Sequence, residues 1–192
     1  MNTENLIISL LIPSIESRKD CLKELKSELI RQFNNAGLLI NKDYEIVVNI
    51  DDLKTIGEKR NYLLNAAKGK YIWFIDDDDM PSENAIELIL EGIKHNPDVI
   101  ELNGIITCDG INPERFNHSI KYKSYDKING IYIRPPNHIN PMKRELACVH
   151  SFPEKNFGED TDWAMLHVAS GTFKTEFGLK EIIYHYNYKS KK

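Results

Sequence analysis

The stretch that decides the fold is residues 56–81, which read IGEKRNYLLNAAKGKYIWFIDDDDMP. A helix is predicted to start at the T-x-x-E capping box of Thr55 and Glu58 and to end just before Gly69. The aromatic and β-branched residues of Tyr71–Ile75 then predict a strand. Four aspartates follow directly, so the carboxyl end of this strand carries a dense negative charge.

The same alternation of strand and helix extends outward from this stretch. Leu6–Ile12 is a continuous apolar run ended by Pro13, as expected of a strand buried on both faces. A capping-box-like Ser17 opens a helix with leucines at helical spacing, and Glu45–Ile50 is a second strand. Val99–Thr107 predicts a fourth strand. Strands alternating with helices in this way predict an α/β fold, a mostly parallel sheet flanked by helices.

The second half of the chain loses this rhythm. It contains the hairpin-type turn pair Asn129-Gly130, a predicted helix at about 160–170 and a late strand at Glu181–Tyr186. No linker separates the two halves, so we predict one domain over residues 1–192. Its predicted parts are an α/β half (1–107), an irregular half (108–187) and a solvated tail (188–192).

The composition excludes several classes of protein. The 192 residues are 41% hydrophobic and 28% charged, which is ordinary for a soluble globular protein. The net charge of −4 argues against nucleic-acid binding through overall charge. No apolar run reaches bilayer length, and we predict neither a signal peptide nor a transmembrane helix. The three cysteines, Cys21, Cys108 and Cys148, lack C-x-x-C spacing, which favours free thiols and a cytoplasmic location.

The four aspartates after the third strand, Asp76, Asp77, Asp78 and Asp79, are the strongest chemical signal. In open α/β sheets, ligands bind outside the carboxyl ends of the strands. Two carboxylates about 4 Å apart repel by roughly 4 kcal/mol at an effective dielectric of about 20, so the cluster needs a cation or protons. Hard oxygen ligands favour Mg²⁺ or Mn²⁺.

Two other interpretations of the four aspartates stay open. One is a solvated acidic turn that caps the next helix. The other is the strand-then-D-x-D motif of a haloacid-dehalogenase-like phosphatase, in which the first aspartate is a nucleophile. That motif is expected near the N-terminus, whereas two complete strand–helix units precede the aspartates here.

Charged residues also mark the other strand ends. Lys59 and Arg60 fall in the first turn of a helix, where the dipole disfavours cations but the free backbone N–H groups welcome an anion. They are therefore candidates to hold a phosphate, the alternative being that both point to solvent. Asp51 and Asp52 follow the second strand and could accept hydrogen bonds from a nucleobase or a ribose, or simply be solvated.

The sequence Phe157–Trp163 places three carboxylates around a helix start. Asp160 would stay ionised in the field of the helix and could accept a proton, although an N-terminal acid pair also occurs in many helices. His185, in the late strand, is a candidate third metal ligand, but a packed or solvent-facing histidine is more common. His138 lies in a loop that could receive an acceptor.

Together these stretches resemble a GT-A glycosyltransferase of family 2. The matching segments are LIISLLIPSIESR, EIVVNIDD, IGEKRNYLLNAAKGKYIWFIDDDDMP and FPEKNFGEDTDWA, in the family's order. The resemblance implies the GT-A fold, with residues 1–107 as the nucleotide-sugar-binding half and 108–187 as the acceptor and catalytic-base half. The sequence departs from the family where Asp-Asp-Gly-Ser usually follows the second strand, since it reads Asp51-Asp52-Leu53-Lys54.

The resemblance also implies roles for individual residues. Asp160 matches the catalytic base of inverting members, and His185 is a possible metal ligand. Asp76 and Asp78 match the D-x-D motif, with Asp78 the direct metal ligand and Asp76 nearer the ribose. The implied nucleotide-sugar-binding residues are Pro13, Asp51, Lys59, Arg60, Asp76 and Asp77.

The predicted function is therefore a transferase dependent on Mn²⁺ or Mg²⁺ that moves a sugar, with inversion, from a nucleoside-diphosphate sugar. The expected donor is a UDP-sugar. The acceptor hydroxyl could belong to a glycan, a lipid carrier, a protein or a modified nucleic acid. Two alternatives are a Mg²⁺-dependent phosphatase or nucleotidyl transferase, and a non-catalytic nucleotide-sugar-binding module.

Overall fold

A computed structural model describes residues 6–189 of the chain. The helices are α1 (Lys19–Asn35), α2 (Ile56–Ala66), α3 (Ala85–Lys94), α4 (Arg144–Ala147) and α5 (Glu159–Ser170). The strands are β1 (Ile8–Ser14), β2 (Tyr44–Ile50), β3 (Tyr71–Phe74), β4 (Met80–Pro81), β5 (Val99–Ile100), β6 (Leu102–Cys108), β7 (Ile111–His118), β8 (Asp126–Ile128), β9 (Ile131–Arg134), β10 (Met142–Lys143), β11 (Glu176–Phe177) and β12 (Ile182–Tyr188).

The first sheet has the strand order β11-β5-β10-β3-β1-β2. Strand β1 pairs in parallel with β2 on one side and with β3 on the other. The carboxyl ends of these three strands therefore meet at one edge, and β10 adds an antiparallel strand beyond β3. The predicted α/β fold, with a sheet flanked by helices, is confirmed.

The helices cover both faces of this sheet, which explains the continuous apolar run in β1. Leu10 packs into a cluster with Leu25 of α1, whereas its neighbour Leu11 packs on the opposite face with Leu63 of α2 and Trp163 of α5. Successive residues of a strand point to opposite faces, so a strand covered on both sides must be apolar at every position. Each such buried side chain contributes roughly 1.5–3 kcal/mol.

The second sheet has the strand order β4-β12-β6-β7-β9-β8. The four aspartates, residues 76–79, form a turn that we call the acidic turn. The first strand of the second sheet, β4, follows this turn directly. The predicted Asn129-Gly130 turn joins β8 to β9, and both residues have positive φ, 51° and 81°. This is the conformation that a two-residue hairpin turn requires.

Two predictions of local structure are wrong. The predicted single strand Val99–Thr107 breaks at Glu101, so that β5 lies in the first sheet and β6 in the second. The Glu101 backbone N–H still donates to the Phe177 carbonyl in β11, so the chain leaves the first sheet after this residue. The predicted Ser17 capping box is also absent, since Glu16–Arg18 form a 3₁₀ turn and α1 begins after Arg18 without a side-chain cap.

The apolar run Leu6–Ile12 is accounted for by β1 and the residues just before it. Within residues 6–189, no helix combines the length and the apolar character needed to cross a bilayer. Cys21, Cys108 and Cys148 are free thiols. The cytoplasmic location stays a prediction.

Candidate active site

A cleft of about 390 Å³ opens at the edge where the strands of the first sheet end. The acidic turn after β3 forms its floor, and the start of α5 and the loop before it form one wall. The second sheet forms the opposite wall with side chains of β6, β7, β9 and β12. These include Ile106, Phe116, His118, Tyr132, Arg134 and Tyr186.

The acidic turn is held rigidly by the second sheet through Asp79. The buried Asp79 carboxylate accepts hydrogen bonds from the Tyr184 hydroxyl and the Asn187 backbone N–H, both at 2.8 Å. Burial raises the pKa of Asp79 well above its usual range, and the negative charge of Asp76 adds to this effect. Asp79 is therefore a structural residue that ties the turn to β12.

Asp77 and Asp78 face a cation supplied by the segment after β1. Arg18 Nη1 lies 2.9 Å from Asp77 Oδ1 and 3.1 Å from Asp78 Oδ2. Asp77 also accepts a 2.6 Å hydrogen bond from the Ser14 hydroxyl. Desolvation, reinforced by Asp76 and Asp77, nevertheless raises the pKa of Asp78 against the opposing effect of Arg18. The turn thus keeps a surplus of negative charge at Asp78.

Arg60 of α2 links the acidic turn to the start of α5. Its side chain is 4% exposed, and its Nη2 donates to Asp76 Oδ1 at 3.0 Å while Nη1 contacts Glu159. Desolvation opposes ionisation of the partly buried Asp76, but Arg60 outweighs it and holds the pKa of Asp76 well below its usual range. Arg60 therefore compensates two carboxylates from two different elements.

Helix α5 begins at Gly158, whose φ of 72° allows the sharp entry into the helix. Glu159 turns inward to Arg60, and Asp160 lines the cleft. Desolvation alone would raise the pKa of Asp160, but Arg60 and the Thr161 backbone N–H together lower it. Asp160 is therefore an ionised carboxylate at the wall of the cleft.

His138, in the loop between β9 and β10, lies between the two acidic groups. Its Nε2 is 2.9 Å from Arg60 Nη2 and 3.5 Å from Asp76 Oδ2. Its Nδ1 is 3.9 Å from Asp160 Oδ2. One imidazole thus bridges the turn after β3 and the start of α5.

The start of α2 is fixed against the loop that leads to α5. Asn61 closes a pair of hydrogen bonds with the backbone of Phe152, at 2.9 and 2.8 Å. A Cβ at Gly57 would stand 1.9 Å from the Pro153 carbonyl oxygen, so only glycine permits this approach. The capping box of Thr55 and Glu58 is present as predicted. The motif around Arg60 therefore positions α5 as well as Arg60 itself.

Comparison with known families decides what kind of domain this is. The sequence model of Glycosyl transferase family 2 matches residues 28–144. The chain belongs to glycosyl transferase family 2. The predicted family, and with it a glycosyltransferase domain, is confirmed, whereas Asp160 lies beyond the matched residues. No curated protein matches the chain in sequence.

Solved structures share the fold of this family 2 domain. S. aureus TarS 1–349 in complex with UDP has a TM-score of 0.65 at 15% identity, over 95% of this chain and 60% of that one. The complex of TarS 1–349 with UDP-GlcNAc has a TM-score of 0.66 at 15% identity, over 97% and 60%. The chain therefore spans about 60% of the length of these proteins, and the likeness establishes the GT-A fold.

Most of the residues predicted for the site come together in the cleft. They are Pro13, Arg60, Asp76, Asp77, Asp78 and Asp160. Four predicted segments carry them, namely the ends of β1 and β3 and the starts of α2 and α5. The two strand ends meet because β1 and β3 are parallel neighbours. Their individual chemical roles stay predictions.

Three predicted residues lie elsewhere. The ammonium of Lys59 is buried and donates to the Ser14 carbonyl at 2.8 Å, and desolvation lowers its pKa. The Asp51 carboxylate accepts from the Leu53 backbone N–H at 3.0 Å within its own loop. His185 points away from the face of β12 that carries Tyr184 and Tyr186, and its Nε2 is 3.3 Å from the Ser82 hydroxyl.

Three further residues of the site had no predicted role. Arg18 follows the end of β1, but the direction of its side chain depends on the 3₁₀ turn. Glu159 was visible as the partner of Asp160 in the Glu-Asp pair, yet nothing in the sequence pairs it with Arg60. The loop of His138 was marked as an acceptor loop, and its contact with Asp76 and Asp160 follows only from the folded chain.

Proposed function

We propose that the chain transfers a sugar from a nucleoside-diphosphate sugar, with UDP the expected nucleotide, to an acceptor hydroxyl with inversion at the anomeric carbon. The observation that carries this proposal is that one cleft holds both the acidic turn and the ionised Asp160, joined through Arg60 and His138. A donor seated against the turn would have its sugar between these two groups.

Membership of glycosyl transferase family 2 supports the transferase class over the phosphatase alternative. The choice of UDP is supported by the fold shared with TarS, which was solved with UDP and with UDP-GlcNAc. Because that likeness rests on 15% identity, the nucleotide and the sugar belong to the proposal.

The residues of the acidic turn fit a divalent cation. Asp78 lines the cleft, and desolvation, together with the charges of Asp76 and Asp77, raises its pKa against the effect of Arg18. Among the described residues, no three His, Cys, Asp or Glu side chains form a ready-made metal cage. Mg²⁺ commonly binds through one or two carboxylates together with substrate phosphates, so Asp78, with Asp76 beside it, would suffice. When bound, Mn²⁺ or Mg²⁺ would neutralise the negative charge that develops on the leaving diphosphate.

Asp160 is the proposed catalytic base. Its carboxylate would accept the proton of the acceptor hydroxyl as that oxygen forms a bond to the anomeric carbon. The bond from the same carbon to the diphosphate oxygen breaks on the opposite face, which inverts the configuration. A carboxylate with a lowered pKa is a weak base, so positioning supplies much of the benefit.

Arg60 is proposed to position the acidic turn and α5 relative to each other. Since its guanidinium is already engaged by Asp76, Glu159 and His138, it holds the acidic turn and α5 at a fixed separation. The proposed division of the chain follows from this arrangement. Residues 1–107 bind the donor, and 108–187 supply the base and the acceptor side. The predicted tail is corrected at its start, because Tyr188 belongs to β12, and residues 190–192 lie outside the described residues.

The first experiment is a thermal-shift screen of UDP-, GDP-, dTDP- and CMP-sugars with and without Mn²⁺. The proposal predicts stabilisation by UDP-sugars that depends on Mn²⁺, followed by release of UDP on incubation. Stabilisation without hydrolysis or transfer to any acceptor would indicate a binding module. Release of phosphate from simple phosphoesters without release of sugar would indicate a phosphatase.

A further inference from the structure

His138 is buried among charged groups. A neutral imidazole carries one ring hydrogen, on Nδ1 or on Nε2, and neither position suits all of these groups. The His138 side chain is 7% exposed, and Phe74 packs edge-on against the ring at 6.3 Å between centroids. Arg60 and Asp76 face Nε2, and Asp160 faces Nδ1. Which ring nitrogen carries the hydrogen decides which of these groups the histidine can bind.

The contact with Arg60 sets this choice. A guanidinium has only donors, so its 2.9 Å contact with Nε2 is a hydrogen bond only if Nε2 is unprotonated and accepts. In a neutral ring the hydrogen is then on Nδ1. The opposite tautomer would donate from Nε2 to Asp76 at the longer distance of 3.5 Å and would place two donors against each other at 2.9 Å.

The hydrogen on Nδ1 has one evident destination. Nδ1 is buried and has no hydrogen-bond partner among the described residues. Asp160 Oδ2 faces it at 3.9 Å, and a closure of about 1 Å would form a hydrogen bond of ordinary length. Catalytic hydrogen bonds often are long before substrate binds and shorten in the complex.

We propose that His138 is a positioning residue for the base: Arg60 fixes its Nδ1–H tautomer, and Nδ1–H then orients the Asp160 carboxylate. This inference rests on the proposed function of Asp160 and adds to it a chain of contacts from Glu159 through Arg60 and His138 to Asp160. The two motifs of the cleft are thereby coupled by one imidazole as well as by one guanidinium.

The tautomer can be measured on the wild-type protein without any substrate. In a ¹⁵N-histidine-labelled sample, long-range ¹H–¹⁵N correlation spectra distinguish protonated from unprotonated ring nitrogens, and His138→Asn identifies the His138 signals by their loss. The proposal predicts that the neutral ring carries its hydrogen on Nδ1 and that Nε2 is unprotonated. A neutral ring with its hydrogen on Nε2 would overturn it.

Two substitutions separate the two ring nitrogens in function. His138→Asn keeps an amide donor near the position of Nδ1, whereas His138→Gln keeps a polar group near the position of Nε2. With UDP-N-acetylglucosamine and Mn²⁺ as the probe, the proposal predicts that His138→Gln lowers the kcat of donor hydrolysis roughly 10- to 100-fold. His138→Asn retains more of the rate, and UDP binding measured by calorimetry is kept in both.

The matched control is His95→Gln, which changes an exposed histidine just after the end of α3, outside the cleft, and is expected to leave the rate unchanged. Equal rates for the two His138 variants, or a faster His138→Gln, would contradict the positioning role. Thermal unfolding of both variants would identify a general loss of folding. If the wild type hydrolyses no UDP-sugar, the proposed function fails, while the nitrogen spectrum still decides the tautomer.

Discussion

The two carboxylate groups of the cleft differ in their electrostatic surroundings. At the end of β3, Asp78 has a raised pKa because desolvation and two neighbouring aspartates outweigh the one cation beside it. At the start of α5, Asp160 has a lowered pKa although it too is partly desolvated, because Arg60 and a backbone N–H compensate its charge. The positive charge beside Asp78 is therefore too small to offset its desolvation, whereas that beside Asp160 is sufficient.

This difference supports the separate chemical tasks that we propose for the two regions. When the surroundings of two carboxyl groups push their pKa values apart, the groups are suited to different roles. The acidic turn is suited to receive a cation and the diphosphate that accompanies it. Asp160 is ionised without such a cation and is suited to accept a proton. Arg60, which contacts both regions, keeps them at a fixed separation.

The largest expected effect separates the base from the cation site. Asp160→Asn removes the proton acceptor but keeps the shape, so turnover is expected to fall about 10²- to 10⁴-fold. Donor binding, measured by calorimetry with UDP and Mn²⁺, should stay close to that of the wild type. Asp162→Asn on the exposed side of α5 is the matched control, since its carboxylate pairs with Lys155 at the surface.

Removal of Arg60 tests whether the two regions depend on each other. Arg60→Met leaves the buried Glu159 and the partly buried Asp76 without their cation, which is expected to cost about 3–5 kcal/mol of unfolding free energy. The melting temperature should fall by roughly 10 °C. Arg60→Lys restores the charge but cannot reach three partners at once, so only part of this loss should be recovered. A Met variant as stable as the wild type would show that the regions are independent.

Asp78→Asn tests the shortage of positive charge in the acidic turn. The account predicts roughly 10- to 100-fold weaker binding of UDP in the presence of Mn²⁺, because a ligand oxygen and its charge are lost. In EDTA the wild type and the variant should bind UDP alike. The same loss with and without Mn²⁺ would instead assign Asp78 to direct contact with the nucleotide.

The smallest effect is expected in the loop after β2. Asp51 bonds to its own loop and lies outside the cleft lining, so Asp51→Asn should change stability by no more than about 0.5 kcal/mol. Thermal unfolding measures this stability, and competition between UDP and other nucleoside diphosphates measures the affinity for UDP. A large loss of UDP affinity would show that the loop closes onto the nucleobase, as the family resemblance implies.

The sequence predicted most of the first sheet and the segments that meet at the cleft. Buried parallel strands leave a strong pattern, and their carboxyl ends must share an edge, so Asp76, Asp78, Arg60 and Asp160 could be brought together before the fold was known. The capping box before α2 depends only on neighbouring residues and was also predicted correctly.

What the sequence did not reveal depends on distant contacts. The pairing of Arg60 with Glu159 joins residues 99 positions apart, and the direction of Lys59 depends on the carbonyl of Ser14. Lys59 and Arg60 are adjacent in a helix and therefore point in different directions. His185 was assigned from its place in a late strand, but a shift of one residue along a strand reverses the face.

The central claim is that the acidic turn and Asp160 flank one donor site. A crystal grown with MnCl₂ and UDP tests it most directly, because the anomalous signal locates manganese without assumptions about the ligand. The account predicts manganese between the UDP diphosphate and Asp78, with the diphosphate directed into the cleft that Asp160 lines. Manganese and UDP bound elsewhere, or a diphosphate directed away from Asp160, would contradict it.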